Sequence, residues 1–181
     1  MDEKCTHNEP MRAAPDPQTL YETMLAAEEA GVKLEIVGDL QVWEVLPSPR
    51  HTLETRRIER SVRPKEGTTE EACGCYALQD MYVRFPDGSL RRPDIAIYCR
   101  LPEPTLEAAT LLPEAVIEVV SPGSETKDLR LSPPFYLSHG VRDVVVYDPA
   151  TGKVLHARAA GERTIASPTV VELECGCVVT V

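Results

Sequence analysis

The sequence contains no long apolar run. Its most hydrophobic stretches, "DVVVY" and "EAVIEVV", are far too short to span a bilayer, so no transmembrane segment is expected. It also lacks an export signal: the opening "MDEKCTHNEP" is acidic and polar where a secretory leader would be basic and then apolar. A cytoplasmic location is the expectation. An excess of basic residues is missing too. The net charge of −10 argues against a dedicated nucleic-acid coat protein, though not against an enzyme that meets nucleic acid through a local basic patch. Internal repeats and low-complexity tracts are absent, so the chain is not read as a repeat array.

What is present suits a globular domain. The 181 residues, 43% hydrophobic and 27% charged, can bury a real core. Residues 1–15 carry no periodic pattern and read as a flexible arm, leaving residues 16–181 as a single domain. "DPQTLYETMLAAEEAG" has the marks of a helix, with Asp16 as cap, Pro17 at the first position and Gly31 just past the end. "VKLEIVGDLQVWEVL" reads as a hairpin turning at Gly38-Asp39, and a second helix enters at Ser48-Pro49. Two strands are expected within "CYALQDMYVRFPDGSLRRPDIAIYCR", joined at Pro86-Asp87-Gly88, followed by a linker over residues 101–112. "AVIEVVSP" and "VRDVVVYDP" have the continuous apolar character of strands buried on both faces, with a short helix at "PPFYLSHG" between them. The remainder alternates like antiparallel strands. The pattern predicts a mixed α/β domain, a central sheet flanked by helices.

Two features admit a functional and a structural reading. The segment "RHTLETRRIERSVRPK" carries Arg50, Arg56, Arg57, Arg60, Arg63 and Lys65, either a basic patch or a solvated helix face with ion pairs. Four of the six cysteines form two "CGC" triplets, Cys73/Cys75 and Cys175/Cys177. On a strand, residues i and i+2 share a face, so each triplet offers two sulfurs on one side. The spacing is too short for the usual zinc knuckle, and without an export signal reduced thiols are the default. Leu173, Cys175, Cys177, Val179 and Val181 alternate as a core face, so the cysteines are read as small hydrophobes, with zinc or redox chemistry as the rival.

The chemistry-bearing residues are two carboxylates. In "SLRRPDIAIYCR" a proline delivers Asp94 to the mouth of an apolar run, and in "VIEVVSP" Glu118 is flanked by Val116, Ile117, Val119 and Val120. A carboxylate in such a run needs a cation or a hydrogen-bond network. Two of them on adjacent central strands suit a hard divalent ion, with the Val119 backbone carbonyl as a third donor. The structural alternative is a strand-edge acid and a satisfied buried acid.

The order "RRPDIAIY", "LLPEAVIEVVSPGSETKD", "FYLSHGVRDVVVYDP", with "LEIVGDLQVWEVLPSPRHTL" upstream, resembles the putative restriction endonuclease family of the PD-(D/E)XK nuclease superfamily. The likeness runs from about residue 20 to the C-terminus. It implies a restriction-endonuclease-like core, with additional antiparallel strands. It further implies a metal site with Asp94 and Glu118 in the two acidic motif positions, Glu35 as an assisting acid, and His51 as the family's histidine heading the second helix. The implied cofactor is Mg2+ or Mn2+. The implied partner is nucleic acid, double-stranded DNA first, with a homodimer as the arrangement that cuts both strands.

One departure stands out. The second motif ordinarily reads acid-x-lysine, but Val120 occupies the lysine position here. The alternative position, four residues beyond Asp128, is Ser132, followed by two prolines expected to disturb a helix. Lys127, with Arg130 nearby, is the candidate replacement, able to reach back on a long stem. The expectation is therefore a Mg2+-dependent nuclease using Asp94, Glu118, Lys127 and Glu35. The rival is a catalytically inactive module that keeps the nuclease fold for binding or assembly.

Overall fold

The computed structural model describes residues 17–38 and 40–181. The expected arm over residues 1–15, the capping Asp16 and the turn residue Asp39 lie outside them. Helix α1 (Pro17–Glu29) begins at its proline, where a missing N–H costs nothing, and is followed by Gly31 at φ +71°. Strands β1 (Val32–Val37) and β2 (Leu40–Val45) form the expected hairpin, in register from Val37 opposite Leu40 to Val32 opposite Val45. Helix α2 (Pro49–Glu59) is capped by Ser48, whose hydroxyl accepts from the His51 N–H.

After the short β3 (Arg63–Pro64), the stretch expected to hold two strands holds four: β4 (Tyr76–Gln79), β5 (Val83–Arg84), β6 (Leu90–Arg91) and β7 (Ile95–Tyr98). Two local features split it. Asp80 takes a left-handed φ of +53° and turns the chain after β4, and Pro93, with no N–H for a ladder, separates β6 from β7. The two outer pieces then pair with each other in one sheet while the inner two pair in another.

The central sheet also contains β8 (Ala115–Val119), β9 (Asp143–Asp148), β10 (Lys153–Arg158) and β11 (Gly161–Ala166), in the order β11-β10-β9-β8-β7-β4. Only β8 and β9 run parallel; a crossover through helix α3 (Ser132–Ser138) joins them. β8 is buried along its whole length. Ile117 and Val119 pack on one face, with Ile58 of α2 and the strands β12 (Val170–Glu172) and β13 (Cys177–Thr180). Val116 and Val120 pack on the other, with Tyr136 of α3 and Val83 and Phe85. A second sheet, β2-β1-β6-β5, and the small sheet β12-β13-β3 complete the fold. No helix among the described residues is long and apolar enough to cross a membrane.

The prolines after Ser132 do not disrupt α3. They sit in its first turn, where proline is tolerated. The chain instead enters α3 through a π-helical turn, Lys127–Leu131, closed by the Ser132 N–H on the Lys127 carbonyl. The cysteine reading is corrected more sharply. Cys73, Cys75 and Cys177 are buried as core residues, but neither triplet lies along a strand. Cys73–Cys75 precedes β4, with Cys75 at φ +49°, and Cys175-Gly176 forms the β12–β13 turn. The sulfurs are not all separate thiols: Cys73 is bonded to Cys99 and Cys75 to Cys177.

Candidate active site

Asp94 enters β7 directly opposite Glu118 of β8, because Ile95 pairs with Ile117 in the antiparallel register. The two acids are coupled through the backbone. The Asp94 N–H donates to Glu118 Oε2 (3.2 Å), and the Val119 N–H donates to Asp94 Oδ2 (2.7 Å). His51, at the head of α2, sits 3.0 Å from Asp94 Oδ2. Lys33 Nζ lies 3.5 Å from Asp94 Oδ1. Burial would raise the Asp94 pKa, but the Lys33 charge and the His51 bond outweigh it and hold the carboxyl down at about 2.

Glu118 is fully buried; the Tyr136 hydroxyl donates to its Oε1 at 2.9 Å. Burial pushes its pKa up to about 8, opposed by Lys127 and reinforced by Asp94, Asp128 and Glu35. Two carboxylates on adjacent strands thus carry very different proton affinities, a pattern common in functional sites.

Lys127 does reach back. From the π-helical turn its Nζ lies 3.0 Å from Glu44 Oε2, 3.1 Å from Asp128 Oδ1 and 3.6 Å from Glu35 Oε2. Burial favours loss of its proton, but Glu118, Glu35, Asp128 and Glu44 together raise its pKa, so it stays charged. Arg130 is exposed and lines a separate groove with Pro133 and Asp148.

Glu35 of β1 is fully buried and accepts from the Arg92 N–H (2.8 Å), with Arg91 Nε 3.1 Å from its Oε2. Burial raises its pKa, and the charges of Arg91, Lys127 and Lys33 bring it below the usual carboxylate range. Arg91 is itself buried, stacks on the rings of Phe135 and Tyr136 at 4.9 and 4.8 Å, and donates to Ser132 Oγ at 2.8 Å. The serine at the displaced-lysine position therefore holds an arginine. Val120 points into the apolar layer under α3, so it contributes no polar group to the cleft.

These groups surround a cavity of about 360 Å³ whose wall includes Lys33, Trp43, His51, Asp94, Lys127 and Asp128. Glu35 and Glu118 do not line it; they stand behind the residues that do. The hydrogen bonding of the cluster is incomplete. Asp128 Oδ1, Glu35 Oε2 and Arg91 Nε are buried without a hydrogen bond, although each has an opposite charge nearby.

Sequence reasoning brought forward Asp94, Glu118, Glu35 and Lys127, and all four fall in this cluster. His51, outside the expected catalytic set of four, joins them through its contact with Asp94, and no motif marks Lys33, Arg91 or Tyr136. A signal for Lys33 existed: in "VKLEIV" a lysine and a glutamate alternate with apolar residues, so both charges share one strand face. The basic segment from Arg50 is largely engaged elsewhere. Arg57 pairs with Glu54, Lys65 with Glu172, and Arg50 donates to the Pro149 carbonyl.

A mixed sheet with helices on its faces, carrying paired acids at the adjoining ends of β7 and β8, defines a nuclease fold of the restriction-endonuclease type. The chain belongs to the Uma2 family, described as "Putative restriction endonuclease", whose model matches residues 19–174. Among solved structures it is similar to a putative nuclease belonging to DUF820 from Anabaena variabilis. The two share 18% identity over 77% of this chain and 80% of that one, with a TM-score of 0.56, which establishes the shared fold. No curated protein matches the chain.

Proposed function

We propose that the protein is a Mg2+-dependent nuclease that hydrolyses phosphodiester bonds in double-stranded DNA. The observation that carries this reading is the Asp94–Glu118 pair, locked by the Asp94 and Val119 N–H groups, with the Lys127 ammonium in the same cluster. Asp94 and Glu118, with the Val119 carbonyl, would hold the ion. The fit is chemical: the donors on the adjoining strands are oxygens, and Mg2+ favours one or two carboxylates. When bound, Mg2+ supplies positive charge to the phosphate oxygens and lowers the pKa of a water.

The chain's own groups do the rest. His51 and the Val119 N–H fix Asp94 Oδ2, so the acid presents a defined oxygen to the cavity. Lys127, kept cationic by four carboxylates, offsets charge developing on the phosphate in the role usually given to the motif lysine. Glu35 anchors Arg91 and draws Lys127 toward the acids. Cutting both strands of a duplex would need two such sites, supplied by a homodimer.

A second reading rests on Val120, Ser132 and the fact that Lys33, His51 and Val119 already occupy Asp94: an inactive module that keeps the fold for binding. Mn2+ titration and plasmid cleavage on the same samples separate the two. Binding and cutting in the wild type, both lost in Asp94→Ala and Glu118→Ala, support the nuclease. Binding without cutting on DNA or RNA supports the module. No binding returns both acids to structural roles.

A further inference from the structure

Five of the six cysteines meet at the opposite end of β7 from Asp94. Cys99 follows Tyr98, the last residue of that strand, about 16 Å along the chain from Asp94 at ~3.3 Å per residue. Three segments converge there: Cys73 and Cys75 before β4, Cys99 after β7, and Cys175 and Cys177 at the β12–β13 turn. Cys73, Cys75 and Cys177 have their sulfurs within 4.8 Å of one another, and so do Cys73, Cys99 and Cys175. Cys73 Sγ lies 3.5 Å from Cys177 Sγ and 4.0 Å from Cys75 Sγ. With Zn–S bonds of about 2.3 Å, the edge of a tetrahedral zinc-thiolate site is about 3.8 Å.

The two triplets are held in fixed, tight turns. Each triplet carries its glycine where another residue would collide. A Cβ on Gly74 would run into the Tyr76 ring, and one on Gly176, at φ +90°, would come 2.9 Å from Thr68 Oγ1. Both loops are pinned. The Gly74 N–H donates to the Cys99 carbonyl (2.9 Å), and the Thr68 hydroxyl donates to the Gly176 carbonyl (2.9 Å). The backbone thereby does for C-G-C what a longer wrap does for the usual knuckle spacing. The surroundings are the apolar layer of Ile95, Ile97 and Val179. Soft ligands in a dry site select zinc over magnesium.

We infer that the reduced protein binds one Zn2+ through Cys73, Cys75, Cys99 and Cys177. In the structure these four sulfurs form the two disulfides, so metal and disulfides are alternative states of one cluster. A dithiol reductant supplies four electrons and four protons to the two disulfides and is itself oxidised to disulfide. Zn2+ then displaces the four thiol protons to solvent and takes their place. Cys175, half-buried in the turn and outside both disulfides, remains the fifth, unliganded thiol. Four sulfurs leave no open position, so the site is structural. It ties β13 and the edge strand β4 to β7, independently of the acids at the other end.

The test uses the full-length chain, reduced under inert gas, desalted and titrated with Co2+ and then Zn2+. The expected result is a thiolate-to-cobalt charge-transfer band with the intense d–d absorption of tetrahedral geometry, saturating at one equivalent and bleached by Zn2+. Cys175→Ser and Asp94→Ala should keep the band, and Cys177→Ser should lose it. A folded, reduced wild type with no charge-transfer band overturns the site without reference to any variant. Loss of the band in Cys175→Ser overturns the ligand set. Loss in Asp94→Ala places the metal at the acids and overturns the cluster.

Discussion

Among the described residues charge is buried in two places, and the contrast shows what separates a candidate site from a structural ion pair. At the start of β9, Asp143 is fully buried, and each of its oxygens is satisfied. His156 and Arg158 reach Oδ1, and the Glu174 N–H donates to Oδ2 at 2.8 Å. None of these residues lines the cavity at Asp94. Around that cavity the chain gathers four buried acids (Glu35, Asp94, Glu118, Asp128), with oxygens of Glu35 and Asp128 left without hydrogen bonds. Burial of charge is common to both places. A surplus of acid, incomplete bonding and an opening belong to one alone.

The largest expected effect is on catalysis. Asp94→Asn or Glu118→Gln should lower plasmid cleavage per folded molecule by about 1,000-fold, the scale of losing a group that acts on the transition state. Asp143→Ala should leave cleavage per folded molecule unchanged and instead lower stability by about 3 kcal/mol, because His156 and Arg158 lose a buried partner. Denaturant unfolding and cleavage on the same three variants read the double dissociation. Loss of cleavage in Asp143→Ala would erase the distinction. Next comes Lys127→Ala, with an expected loss of about 100-fold in cleavage while Mn2+ binding persists. Unaltered cleavage there would show that the missing motif lysine has no substitute.

The two places should also respond oppositely to pH. The Asp143 pKa is lowered: burial acts against this, but the His156, Glu174 and Arg158 bonds prevail. Its stabilisation is therefore present above the unfolded-state value of about 3.9 and is lost as the pH falls through the folded-state value. Glu118 is raised to about 8. In metal-free protein its contribution is complete below an unfolded value of about 4.3 and is lost as the pH rises toward 8. Urea midpoints should thus fall on the acid side through Asp143 and on the neutral side through Glu118. Glu118→Gln should flatten the second slope only. A neutral-side slope unchanged in that variant would mean Glu118 titrates as an ordinary acid.

Much of this was readable from the chain. The helix starts at Pro17 and Pro49 and the β1–β2 hairpin follow from local capping and turn chemistry. Asp94 and Glu118 stood out because each interrupts an apolar run. What was not readable depended on distant contacts or on a local distortion. Arg91 acts through Glu35, 56 positions earlier in the chain, and Ser132, 41 positions later. The reach of Lys127 depends on a π-helical turn ahead of Pro133-Pro134, where the sequence suggested only a disturbed helix. The cysteine triplets misled for a related reason. Their i, i+2 spacing implies a strand face, but a left-handed Cys75 and the turn at Gly176 place the sulfurs by another route.

The smallest effect is at Ser132, where the contrast between the two clusters can be probed most finely. Its hydroxyl accepts from Arg91 Nη2, and it is fully buried. Ser132→Ala removes that acceptor but leaves Glu35 and the Phe135 and Tyr136 rings around the guanidinium. The expected cost is about 1.5–3 kcal/mol, the loss of one hydrogen bond to a charged group. If Arg91 only braces the fold, denaturant unfolding will record that loss and cleavage will not change. If it also sets the position of Glu35, and through it Lys127, cleavage should fall a few-fold with Mn2+ affinity retained. Ser132→Thr, which restores the hydroxyl, should then recover it. Recovery by threonine would make this serine a positioning residue, occupying the displaced-lysine position without supplying the charge.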